Sequence, residues 1–266
     1  MRFLGALIAI ATIAADASAQ CPSARDAFAQ GETYARQEEW TKAAAAFANA
    51  TRLAPKNARY AARRGHLLME LASRGQASWS EARAPLEAAV AIDPNLAEAQ
   101  FDLAEVLLRL GDEQGALDRY TRAIAARPDV LARYAPLVDS YARLDRLAEA
   151  EKVANAGLSF DRAHDPPVDL RIAYGDVLER KGDVLGAVAQ YEAAKKACGS
   201  CAERGESLVH YRLGVAYASL NPPRKSEAYQ MLLSFTKRIC KGALASRYVD
   251  ECTTTQDVMT RLAGTP

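Results

Sequence analysis

The chain has 266 residues, with 34 Lys and Arg against 33 Asp and Glu and a formal net charge of +1. So even a balance excludes the basic footprint of a nucleic-acid binder and the acidic tail of a solvating segment. Nucleic acid is therefore not an expected partner.

Met1 and Arg2 open an apolar stretch from Phe3 to Ala15, followed by Ala17-Ser18-Ala19. A charged start, a hydrophobic middle and a small-x-small ending predict a cleavable export signal over 1–19, with Gln20 as the new amino terminus. The apolar run is too short to span a bilayer comfortably and no second one follows, so no integral membrane span is expected and the mature chain is predicted to be exported, to a periplasm. Cys21 stands where a lipid-bearing cysteine would, but Gln20 precedes it where such processing wants a small residue, which disfavours a lipid anchor.

Beyond Ala24 one spacing recurs: Ala43, Phe47, Ala50, Pro55; Ala82, Leu86, Ala89, Pro94; Ala116, Tyr120, Ala123, Pro128. Its period of about 34 residues is that of a paired-helix unit. In the first unit (24–57), Gly31 and Ala43 are small where two helices would approach, Tyr34, Trp40 and Phe47 fill the space beside them, and Pro55 ends the second helix. The second unit (58–96) repeats this with Gly65, Leu68, Trp79, Ala82 and Leu86, and roughly five extra residues around Ser73 to Ser78 are expected to loop out of its internal turn. The third (97–130) is the most regular, with Ala104, Leu107 and the turn Gly111-Asp112.

In the fourth unit (131–164), Leu137, Val138, Tyr141 and Ala150 fit, but Ala154 replaces the large residue of the second helix. Pro136 falls inside the expected first helix and marks a late start or a kink. After Asp165-Pro166-Pro167, the fifth unit (168–201) carries Tyr174, Gly175, Gly182-Asp183, Ala187 and Tyr191. The sixth (207–242) has Leu213, Gly214, Tyr217, a Pro222-Pro223 turn, Ala228, Leu232 and Phe235, and 243–266 supplies a closing helix. No segment alternates as a strand does.

Gly31 with Tyr34, Ala43, Phe47, Ala50 and Pro55, and their counterparts in later units, resemble the tetratricopeptide repeat family. The resemblance implies an all-α chain: a right-handed superhelical solenoid of about six helical hairpins over 20–266, closed by a C-terminal capping helix. It implies further that each first helix lines a concave groove, into which the residue after the small position points. Those residues are Glu32, His66, Glu105, Asp139, Asp176 and Val215. Four residues later come Arg36, Glu70, Arg109, Arg143, Arg180 and Ser219.

Four of these pairs are an acid followed by arginine at i,i+4, which reads either as local ion pairing or as rows of charge that grip an extended peptide. The Lys and Asn with which some members of the family hold a terminal carboxylate are Phe28 and Glu32 here, which argues against that docking mode. The aromatic entries Phe28, Phe101 and Tyr211 are expected to pack on neighbouring helices rather than to serve as exposed anchors.

Cys198 and Cys201 form a CxxC, with Cys240 and Cys252 farther on. In an exported chain these four read as disulfide candidates, since the second pair lacks the tight spacing of a zinc site. The histidines His66, His164 and His210 stand apart from any nucleophile, and no phosphate loop, metal-protease helix or nucleophile elbow occurs. The expected function is therefore a non-catalytic scaffold with no metal and no cofactor, holding a protein or peptide segment. Its rivals are a thiol-redox protein using the CxxC and a lipid-anchored component of an envelope complex.

Overall fold

The computed structural model describes residues 23–160, 168–199, 201 and 207–264. The proposed export signal, Cys21, His164 and the Asp165-Pro166-Pro167 breaker lie outside them. Among the described residues there are thirteen α-helices and no strand. The chain divides between Ala54 and Pro55 into two compact units.

The first unit is one hairpin, α1 (Ala24–Arg36) against α2 (Trp40–Leu53). Ser23 starts α1 by a capping box: its hydroxyl accepts from the Asp26 amide at 3.2 Å while the Asp26 carboxylate accepts from the Ser23 amide. The helices meet closely because Gly31 has no side chain. A Cβ there would stand 2.6 Å from the ring of Phe47, which is fully buried.

The second unit runs α3 (Ala58–Ser73), α4 (Trp79–Ile92), α5 (Ala97–Arg109), α6 (Glu113–Ala126), α7 (Tyr134–Arg143), α8 (Leu147–Leu158), α9 (Val168–Arg180), α10 (Val184–Cys198), α11 (Leu208–Ser219), α12 (Lys225–Phe235) and α13 (Val249–Gly264). Consecutive helices pack as hairpins, and each hairpin packs on the next, the arrangement of a helical solenoid. One core joins α3 to α6, another spans α7 to α12, and a smaller one seats α13 on α11 and α12.

Turn chemistry sets the hairpin geometry. Gly111 and Gly182 take the left-handed φ of +83° and +82° that ends α5 and α9. The next residues, Asp112 and Asp183, cap α6 and α10 by accepting from the amides of Gly115 and Gly186, each at 2.9 Å.

Three expectations change in detail. The extra residues of the second unit do not all loop out: α3 has 16 residues where α5 has 13, so the helix absorbs three and only the rest widen the turn. Pro136 marks a late start, since a 3-10 turn over Leu131–Arg133 precedes α7 and the proline sits in its first turn, where a missing amide costs no bond. The closing helix begins only at Val249, after a π turn over Thr236–Cys240 and a 3-10 turn over Ala245–Arg247. Pro85 lies buried in the middle of α4, and the helix continues through it.

Candidate functional site

Two of the residues after the small positions are tied to their own hairpins. In α5, Glu105 accepts from the phenol of Tyr120 in α6. In α9, Asp176 accepts from the phenol of Tyr191 in α10 at 2.5 Å, with the Glu179 carboxylate 3.1 Å from the same oxygen. Burial and these carboxylates push both phenols far above their ordinary range. The hairpin α7–α8 breaks the pattern, because Ala154 occupies the place of the tyrosine. Asp139 is left with no hydrogen bond or ion pair among the described residues.

The arginines four residues later do not pair with these acids. Arg109 lies over the Trp79 ring at 5.4 Å. Arg143 reaches Glu113 at 3.8 Å and donates to Ser140. Arg180 bonds Asp145 at 2.9 Å and the Ala142 carbonyl. Each arginine thus ties its own helix to the hairpin before it. In the first unit, Arg36 is exposed and donates to Thr33 at 3.2 Å, and Glu32 is half-buried.

His66 of α3 meets Asp102 of α5 at 3.0 Å, with Glu70 at 3.7 Å from its other nitrogen. The Asp102 hydrogen bond raises its pKa. His210 is buried and held neutral, its pKa lowered to about 4 by burial and by the nearby Arg238 and Lys195. Phe28, Phe101 and Tyr211 pack on Phe47, Tyr120 and Phe235 with ring centroids 5.5, 5.4 and 5.4 Å apart, the packing expected of them.

Where α7, α9 and α11 lie side by side they enclose a recess of about 380 Å³. Ala132 of the 3-10 turn with Ala135, Pro136 and Asp139 of α7 line one wall, and Asp169, Ile172, Ala173 and Asp176 of α9, at i, i+3, i+4, i+7 on one face of that helix, line the next. Leu208 and Arg212 complete it. Arg212 pairs with Asp176 at 2.9 Å, leaving Asp139 and Asp169 unanswered among the described residues. Asp139 is open to the recess, yet protein surrounds it on most sides. Lost hydration and the neighbouring Asp176 raise its carboxyl to about 6, against the pull of Arg143 and Arg212.

Of the nine charged groove candidates, the recess gathers Asp139 and Asp176 only. Asp169 and Arg212 were missed because the sequence reading stepped one turn toward the C-terminus from each acid. The shared face runs the other way, toward the N-terminus, the direction in which helical side chains lean. Val215 and Ser219, the sixth groove pair, line a separate, largely apolar cavity of about 570 Å³ with Val258 and Leu262 of α13.

The CxxC closes the end of α10: the Cα atoms of Cys198 and Cys201 are 4.9 Å apart with their sulfurs in contact, and Cys201 is fully buried. Its carbonyl accepts from Ser207 at 3.1 Å and Arg238 at 3.0 Å. Cys240 and Cys252 bring α13 to the end of α12, with Cα atoms 5.6 Å apart. No cluster of three metal-ligating side chains occurs among the described residues, and no helix among them is long and apolar enough to cross a membrane.

Stacked helical hairpins with a lined recess across three first helices define a helical repeat architecture. A tetratricopeptide repeat model matches residues 72–130. Solved structures share the fold over most of the chain. PilW, described as a widely conserved type IV pilus biogenesis factor, is 14% identical, with 85% of this chain and 98% of that one covered and a TM-score of 0.65. The pilF protein of Pseudomonas aeruginosa is 16% identical, covering 86% and 97% at a TM-score of 0.62. YrrB, described as having an unusual peptide-binding site, is 19% identical, covering 78% and 99% at 0.56. The tetratricopeptide repeat likeness in sequence thus covers residues 72–130, and the solved structures extend the likeness in fold to the hairpins around it. No curated protein sequence matches it.

Proposed function

We propose that this chain is an exported, non-catalytic scaffold that holds an extended segment of another protein in the recess between α7, α9 and α11. The observation that carries the reading is the recess itself: three parallel helix faces, small or apolar at Ala132, Ala135, Pro136, Ile172 and Ala173, with carboxylates standing free among them. Stacked hairpins hold that surface rigid before a partner arrives, so docking costs little ordering of the scaffold. Export is supported by the apolar start of the chain and by two cysteine pairs at bonding contact, which we take to be disulfides formed in an oxidising compartment. Likeness in fold to PilW, described as a type IV pilus biogenesis factor, supports an envelope assembly as one setting for such a scaffold. The thiol-redox alternative is the weaker, since Cys198 and Cys201 end a repeat helix and no thioredoxin-like alternation of strands and helices stands around them among the described residues.

Ala132 is exposed at the mouth of the recess, and Ala132→Trp fills that mouth at little cost to the core. The expected outcome is loss of partner capture from the exporting compartment with helix content unchanged by circular dichroism. Full capture by the variant places the partner elsewhere on the molecule.

A further inference from the structure

The recess between α7, α9 and α11 holds an acid, Asp139, that is treated differently from its counterparts Glu105 and Asp176. In hairpins α5–α6 and α9–α10 the acid of the first helix is answered by the phenol of the second, Tyr120 for Glu105 and Tyr191 for Asp176. In α7–α8 that phenol is missing, because Ala154 is fully buried in its place. The donor that Asp139 lacks is not supplied by α9 or α11 either. Asp176 is taken by Tyr191 and Arg212, and Arg212 by Asp176. Asp169, at the outer end of the same α9 face, has no cation among the described residues. The cavity thus presents two unanswered carboxylates above a floor of Ala135, Pro136 and Ile172. That combination fits a long side chain whose stem is apolar and whose tip carries several donors.

We infer that the recess selects a basic side chain, arginine or lysine, of the bound polypeptide, with its stem on the alanine and isoleucine floor and its cationic head between Asp139 and Asp169. This rests on the segment-holding reading given above and names the chemistry of what is held. A guanidinium fork suits two carboxylates on adjacent helices. The groups facing Asp139 are Arg143 on its own helix, Asp169 and Asp176 on α9, and Arg212 on α11. With its carboxyl at about 6, Asp139 is ionised at neutral pH and loses its charge as the pH falls toward 5, so the grip on a cation weakens over that interval.

The test selects random displayed linear peptides on the full exported chain, then compares a selected peptide with a synthetic copy carrying citrulline, the neutral isostere, in place of arginine. Expected results are enrichment of basic residues and binding of the arginine peptide at least about tenfold tighter than the citrulline copy, the gain of a charge-assisted hydrogen bond. The ratio collapses in Asp139→Asn with Asp169→Asn at unchanged helix content, and shrinks from about pH 7.5 to about pH 5. Peptides that Ala132→Trp blocks but that show no preference for arginine over citrulline overturn the basic specificity and leave the recess as a binding site. Failure to select any peptide that Ala132→Trp blocks removes the recess and its specificity together. Binding of calcium alone, seen by calorimetry and abolished by the same two asparagines, also overturns the inference.

Discussion

Asp139 shows how a single carboxylate can act against stability. Its pKa is raised by burial and by Asp176, so the native state binds its proton more tightly than the unfolded chain does. Between the ordinary aspartate value and about 6 the native protein carries more protons, and stability falls as pH rises through that window. Above it the penalty is complete, and below it the penalty is absent. Asp139→Asn removes the charge and keeps the shape. Because the side chain is open to the recess, solvent screening reduces the penalty to no more than about 1 kcal/mol. The variant is therefore expected to gain stability at about pH 7.5, with Tm higher by about 2–4 °C, and to gain almost nothing at about pH 3, below the window. Thermal scans by circular dichroism at the two pH values check it, and an equal gain at both would mean that packing, not charge, is responsible. A residue kept at a stability cost fits a binding role, since sites commonly trade stability for function.

The helix is the scale at which the sequence was most legible. Small residues at Gly31, Gly65 and Gly175 and the Gly-Asp turns were read correctly because each rests on local backbone chemistry, whereas Pro136 left a late start or a kink open and the structure has the late start. Gly175 is the sharpest of these: a Cβ there would collide with the ring of Tyr191, which is fully buried. Gly175→Leu is expected to force α9 from α10 and cost about 1–3 kcal/mol, the range for overpacking, read as a lower urea midpoint. A midpoint unchanged from wild type would show that the ring has room to move. What the sequence hid depends on contacts between elements. Pro85 continues a helix because its buried neighbours hold it there. Arg109, Arg143 and Arg180 looked like partners of the acids one turn earlier, yet each reaches back to the preceding hairpin, a contact that no spacing within one helix encodes. The recess was half legible. Its acids on α7 and α9 follow from the repeat position, whereas Asp169 and Arg212 become neighbours only when the helices lie side by side.

At the scale of the whole repeat unit from α3 to α13, stability is a sum of hairpins and the interfaces between neighbours, so damage at one end should stay local. The end is where this can be read, because α13 has neighbours on one side only and meets α11 and α12 through a small core around Phe235, Ile239 and Val258. The Cys240–Cys252 pair ties its first turn to the π turn after α12, across a sequence separation of 12. As the disulfide proposed above, the pair closes a loop worth about 3 kcal/mol by the chain-entropy relation, most of it spent on holding α13 in place. Replacing both cysteines by serine, and leaving Cys198 and Cys201 untouched, should therefore speed amide exchange in α13 by about tenfold to a hundredfold, while α5, several hairpins away, keeps its wild-type protection. Hydrogen exchange followed by mass spectrometry resolves the two helices in one experiment. If α5 opens together with α13, the hairpins share one cooperative core rather than nearest-neighbour contacts. If neither helix changes, the cysteine pair contributes nothing to the closing helix, and its apolar contacts alone hold it.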